Sequence, residues 1–111
     1  MKHVLISLFA VLLCTRCDKY RYQHTDCSKM NVSYQEDISP LITANCSAVG
    51  CHANGSANGD FSTYIGLKGK ANNGSLKKRV CERKDMPVSA PLSFKDRRKL
   101  FCWIESGAPQ N

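Results

Sequence analysis

The chain has 111 residues, room for one domain, which excludes a multidomain enzyme carrying its own substrate domain. Its 42% hydrophobic and 8% aromatic content suits a small globular protein and argues against a disordered one. Sixteen Lys and Arg against nine Asp and Glu give a formal net charge of +7, and seven cysteines are unusual in so short a chain.

Lys2 and His3 precede an apolar run from Val4 to Leu13, interrupted only by Ser7. A helix crossing a bilayer needs about 20 apolar residues, so this run is too short to span and reads as the core of a signal peptide. It leads into Leu12-Leu13-Cys14-Thr15-Arg16-Cys17-Asp18-Lys19. That passage resembles a bacterial lipoprotein signal, in which a cysteine becomes the lipidated first residue. Cys17 is the favoured lipidation site. Arg16 before it departs from the usual small residue and keeps Cys14 as the alternative. The expected organisation is therefore a signal peptide over 1–16, a lipidated tether over 17–33 and a folded domain over 34–111. An unlipidated, secreted chain is the rival reading, and either way the protein is exported.

Residues 18–28 are polar, without helical period, and Val32-Ser33-Tyr34 reads as a short extended piece. Ser39 and Pro40 open the first helix, with Ile38, Leu41 and Ile42 on one face, and it runs into Cys46. Cys51 to Asp60 is a loop rich in Asn-Gly. Phe61 to Leu67 is predicted as a short helix that buries Tyr64 and Ile65. Ser75 is expected to cap a helix to about Arg83, with Leu76 and Val80 inward. Ser93 and Asp96 suggest a capping box for the last helix. Phe94, Leu100, Phe101, Trp103 and Ile104 form its apolar face, and Gly107 with Pro109 ends it. The fold class is all-α, with short helices and long loops.

Within Cys46-Ser47-Ala48-Val49-Gly50-Cys51-His52, two cysteines end in Cys-His. That is the pattern of covalent haem c attachment, in which two thiols add to the vinyl groups and the next imidazole binds the iron. The spacer here has four residues where two are usual. A helix leads into Cys46, and Met86, in Lys84-Asp85-Met86-Pro87, supplies a thioether as sixth ligand. Met30 and His24 are weaker candidates. The first stands beyond the first helix and the second in the tether.

The chain resembles the small monohaem cytochrome c domains of bacterial lipoproteins over about residues 34 to 109. Asp37-Ile38-Ser39-Pro40-Leu41, Asn45-Cys46, Gly50-Cys51-His52, Met86-Pro87 and Trp103-Ile104-Glu105-Ser106-Gly107-Ala108 carry the likeness, in the family's order. It implies a class I cytochrome c fold around one covalent haem c. Cys46 and Cys51 would be the thioether links, His52 and Met86 the axial ligands, and electron transfer, not enzymatic turnover, the activity. Trp103, Phe101 and Ile104 would pack on the haem and on the first helix.

With two cysteines on haem, Cys27, Cys81 and Cys102 remain for one disulfide. Cys27–Cys102 is favoured and Cys81–Cys102 is the alternative. The basic residues gather late: Lys68, Lys70, Lys77, Lys78, Arg79, Arg83, Lys84, Lys95, Arg97, Arg98 and Lys99. They read either as solvated helix faces or as a positive rim that steers acidic redox proteins. An exported chain does not meet nucleic acid, so none is expected as a partner. The expected location is the envelope of a Gram-negative bacterium, periplasm-facing or at the outer membrane, with a lipid anchor to the membrane. Two other functional classes remain. A haem enzyme or ligand sensor needs a displaceable sixth ligand, and no carboxylate–arginine pair is expected near Met86. A haem-free module would join Cys46, Cys51, His52 and a third cysteine on zinc, or rely on disulfides.

Overall fold

The computed structural model describes residues 25–111. The signal run, Cys14, Cys17 and His24 lie outside the described residues. Just over half of these residues (51%) are helical and none is in a strand. No helix among them is long and apolar enough to cross a membrane.

The chain enters through a 3-10 turn, Cys27–Lys29, capped by the Asp26 carboxylate, which accepts from the Ser28 N–H. Val32 and Ser33 precede a π-helical turn, Tyr34–Ile38, that continues directly into α1, Ser39–Asn45. The extended reading therefore stops at Ser33, whose hydroxyl accepts from the Glu36 N–H and caps the turn. Pro40 accounts for the wide turn: its ring offers no N–H and crowds the carbonyl four residues back. Ile38 and Ile42 are buried beneath α1, as their spacing predicts.

Helix α2, Tyr64–Asn72, starts three residues later than expected and runs further, capped by the Thr63 hydroxyl, which accepts from the Gly66 N–H. Phe61 lies before it, buried in its own right. Ile65 is 81% exposed, contrary to the expectation, because the inward positions of α2 are Leu67 and Ala71. Gly66 has a steric duty. A Cβ there would stand 1.7 Å from the Asp60 carbonyl oxygen, so the loop before α2 can lie against the helix only if this position is bare.

The next segment, Lys77–Glu82, is π-helical, not α-helical. Ser75 does not cap it: its own N–H is taken by the Asn73 side chain and its hydroxyl reaches the Lys70 carbonyl. Leu76, Val80 and Cys81 point inward from this stretch. The last helix, α3, Phe94–Glu105, has the expected cap: the Ser93 hydroxyl accepts from the Asp96 N–H at 3.1 Å. Leu100, Phe101, Cys102 and Trp103 are buried from it, whereas Phe94 is partly exposed.

Trp103 is fully buried. Its indole lies 5.8 Å from Tyr34, which meets Tyr64 edge-on at 5.0 Å, and its Nε1–H donates to the Pro109 carbonyl. The chain can fold back there because Gly107 and Ala108 both take positive φ, 92° and 50°. The Ala108 carbonyl then accepts from the Tyr64 hydroxyl and the Lys68 ammonium, both at 2.8 Å. Cys27 and Cys102 sit at disulfide distance, with Cα atoms 5.3 Å apart at a sequence separation of 75. Cys81 is free and buried, and its Sγ–H donates to the Arg97 carbonyl.

Candidate functional site

The residues on either side of Cys46 and Cys51 are shaped by backbone hydrogen bonds. The Cys46 and Ser47 N–H groups both donate to the Ile42 carbonyl and stop α1. The four-residue spacer then closes on itself. The Cys51 N–H donates to the Ala48 carbonyl at 3.0 Å, and the His52 N–H donates to the Cys46 carbonyl at 3.1 Å. Gly50 takes φ +84° within this turn, a conformation that favours glycine. The extra residues thus form a compact loop, and His52 is returned beside Cys46.

The following loop is equally bonded. The Phe61 N–H donates to the His52 carbonyl, and the Ser56 hydroxyl donates to the Cys51 carbonyl at 2.7 Å. His52 Nδ1 lies 3.1 Å from the Gly59 carbonyl oxygen. A carbonyl only accepts, so Nδ1 carries a proton and Nε2 is the nitrogen left to bind a metal. That is the arrangement of a histidine prepared to ligate through Nε2. The imidazole also stacks on Phe61, with centroids 4.0 Å apart and planes 6° from parallel.

These residues border a cavity of about 660 Å³. Its lining comes from two stretches of the chain, Asn45 to Phe61 with Cys46, Cys51 and His52, and Lys70 to Ser89 with Leu76, Arg79, Val80 and Met86. All four residues singled out from sequence as haem ligands or attachment points, Cys46, Cys51, His52 and Met86, therefore line one cavity. Protein interiors hold few voids larger than a water molecule, whereas ligand pockets run to roughly 300–1,000 Å³. This space is of the second kind.

Cys46 is buried, and that burial, with the neighbouring Cys51 as a smaller cause, pushes its thiol up to about 11. It is a neutral thiol at pH 7. Cys51 is exposed. Burial pushes Cys81 further, to about 12, and it does not border the cavity. Nor does Met30, although it packs on the core. Trp103, Phe101 and Ile104 do not line the cavity either. Trp103 fills the core beside Tyr34, Phe101 lies under the Lys77 ammonium at 4.9 Å, and Ile104 packs partly buried on the core.

Sequence reading missed a charged cluster beside Met86. Asp85 Oδ1 lies 2.6 Å from Arg79 Nε and its Oδ2 3.0 Å from Arg83 Nη2, so a carboxylate does pair with arginine there. The Arg79 hydrogen bond holds the Asp85 carboxyl below the usual range. The six-residue spacing of Arg79 and Asp85 is visible in the sequence, but only the chain reversal after Glu82 brings them together. Other basic residues are also engaged internally: Lys77 with Glu105, Lys99 with Asp37, and Lys68 with the Gly107 and Ala108 carbonyls. Lys78 and Lys95 are exposed, and Lys70 is half-buried at the cavity.

Among the described residues, no three or more His, Cys, Asp or Glu side chains converge so as to hold a metal ion by themselves. Cys27 and Cys102 are directed to one another, and Cys81 toward Arg97. The donor set at the cavity is instead one imidazole, one thioether and two thiols. Comparison with family models, with curated proteins and with solved structures gives no match to this chain.

Proposed function

We propose that the chain is a small monohaem c-type cytochrome, an electron carrier of the cytochrome c fold. The observation that carries this reading is the convergence of Cys46, Cys51, His52 and Met86 on one cavity of about 660 Å³. Cys46 and Cys51 would hold the haem by thioether bonds, with His52 Nε2 and the Met86 sulfur as axial ligands. The haem supplies a one-electron couple, and a His/Met pair raises its potential relative to two histidines.

The residues around the site then have assignable work. The Gly59 carbonyl keeps the proton on Nδ1 and so presents Nε2. Phe61 fixes the plane of the ring by stacking. Buried Leu76 and Val80, with half-buried Pro87, give the cavity an apolar lining that would limit water around a bound metal. A lipoprotein-type start would put the carrier in a Gram-negative envelope. There exposed Lys95, with Lys70 at the cavity, would favour encounter with acidic redox proteins.

The test is an optical spectrum of the chain made in a host that matures c-type cytochromes, native and after denaturation in alkaline pyridine. Haem that survives denaturation is expected, as is a low-spin native spectrum. Cys46→Ala should lose one thioether and shift the pyridine spectrum, and Met86→Ala should turn the native protein high-spin. A colourless chain, in cells whose own cytochromes mature normally, would overturn the proposal. A ligand sensor is the second reading, favoured by the Arg79–Asp85 pair beside Met86. A high-spin native spectrum with bound haem would select it.

A further inference from the structure

Asp85 immediately precedes Met86, and it is held from three directions. Its Oδ1 accepts from Arg79 Nε at 2.6 Å, its Oδ2 meets Arg83 Nη2 at 3.0 Å, and its own N–H donates to the Arg79 carbonyl at 3.1 Å. Arg79 belongs to the π-helical segment, whose Val80 and Cys81 are buried in the core, and it lines the same cavity as Met86. Arg83 is fixed in turn, because its N–H donates to the Lys78 carbonyl at 2.9 Å. The residue next to Met86 is therefore tied, through both side chain and backbone, to a segment anchored in the core.

An isolated, partly exposed ion pair contributes little to global stability. This one joins a loop to a helical wall at the residue adjoining a thioether ligand. Its effect falls on the position of that loop more than on the fold as a whole. We infer that the Arg79–Asp85–Arg83 cluster is a positioning brace for Met86, with Arg79 as its main arm, and that it sets how readily an external ligand displaces the methionine. This inference rests on the haem reading above. If the sixth position exchanges between Met86-bound and open forms, apparent affinity for an added ligand scales with the open fraction. Loosening the brace raises that fraction.

The experiment is titration of the haem-loaded protein with imidazole, followed by its visible spectrum, for the wild type and for R79Q, R79K, R83Q and K78Q. Lys78 is exposed and adjacent in sequence, so K78Q removes the same charge without touching Asp85. R79Q should tighten apparent imidazole binding about 5-fold over wild type, the low end of ordinary coupling between sites. R79K, which can still pair with Asp85, should recover most of the wild-type value, and K78Q should match wild type. R83Q should give about a 2-fold change, and it carries the test if R79Q does not load haem. Equal imidazole affinity in R79Q and K78Q, or in R83Q and K78Q where R83Q carries the test, would overturn the brace while leaving the cytochrome reading intact. A wild type without covalent haem would remove both.

Discussion

Around Trp103 the chain is held by side chains that fill space, and around His52 by hydrogen bonds drawn about a space. The first region joins the Tyr34–Ile38 turn, α3 and the C-terminal fold-back through tilted and edge-on rings, buried Leu100 and the Cys27–Cys102 pair. The second region has one stacked ring pair, His52 on Phe61, and otherwise closes two loops by backbone and hydroxyl bonds. The difference teaches where stability should originate. The Trp103 side packs side chain on side chain, whereas the cavity side sets its lining residues around a space of about 660 Å³. A chain this small has little apolar core to spare, so an occupant would contribute substantially to folding.

The largest expected effect tests the Trp103 side. Replacing both Cys27 and Cys102 with serine frees a loop of 75 residues' separation, which by loop-closure entropy costs about 4 kcal/mol. Urea unfolding should show that loss in the haem-loaded protein and equally in a Cys46→Ala/Cys51→Ala background. The low-spin spectrum of the loaded protein should not change. A loss confined to the loaded protein would break the comparison, because it would mean that the disulfide acts through the cavity.

A somewhat smaller effect is expected from Gly66→Ala. The new Cβ would meet the Asp60 carbonyl, which is backbone and cannot swing aside, so the loop that carries Gly59 must move. Overpacking of this kind costs about 3 kcal/mol. Unlike the disulfide change, it should disturb His52, because the Gly59 carbonyl fixes the tautomer of that ring. A spectrum and imidazole affinity identical to wild type would show that the loop absorbs the strain without transmitting it.

The same contrast governs what can be read from sequence. Helix α3 is legible because its cap and its apolar spacing serve one purpose. Helix α1 is legible from Pro40 and the spacing of Ile38 and Ile42, although Ser39 makes no cap and the helix runs on from the turn that Ser33 caps. The Ser93–Asp96 cap and buried Ile38, Ile42, Leu100 and Trp103 follow from local pattern alone. Convergence of Cys46, Cys51, His52 and Met86 is foreshadowed by motif and order, since chemistry constrains their spacing more tightly than packing does. Ile65 is misplaced by pattern because α2 is short and nearly patternless, and tertiary contact at Leu67 and Ala71 decides its orientation. The side that Trp103 takes is not written in its helix, because a large aromatic there could face either way; the Tyr34 contact and the Pro109 hydrogen bond place it. The Asp85 cluster and the π-helical turns depend on chain reversal and on hydrogen-bond register, neither of which leaves a mark in composition.

The smallest effect concerns a single ion pair on the Trp103 side. Asp37 Oδ1 lies 2.6 Å from Lys99 Nζ, joining the Tyr34–Ile38 turn to α3, and its Oδ2 accepts from the Ser33 N–H. The Lys99 bond first, then the Ser33 bond, hold the Asp37 carboxyl below its ordinary value, and the same pairing raises Lys99. A depressed carboxylate contributes stability above its unfolded value, about 3.9, and that contribution is lost as pH falls through the lower folded value. A raised ammonium contributes below its unfolded value, about 10.4, and that contribution is lost as pH rises through the higher folded value. The pair therefore acts in full between these limits. Asp37→Asn should lower unfolding free energy by about 1 kcal/mol at pH 7, the upper range for partly exposed pairs. The deficit relative to wild type should shrink progressively once the pH falls below about 4, as the wild-type carboxyl is protonated. Urea unfolding of both proteins at pH 7 and pH 3, with and without haem, measures it. A deficit that persists undiminished at pH 3 would show that the amide substitution harms packing and not charge. A deficit seen only with haem bound would show that the two sides of the molecule are coupled through α3.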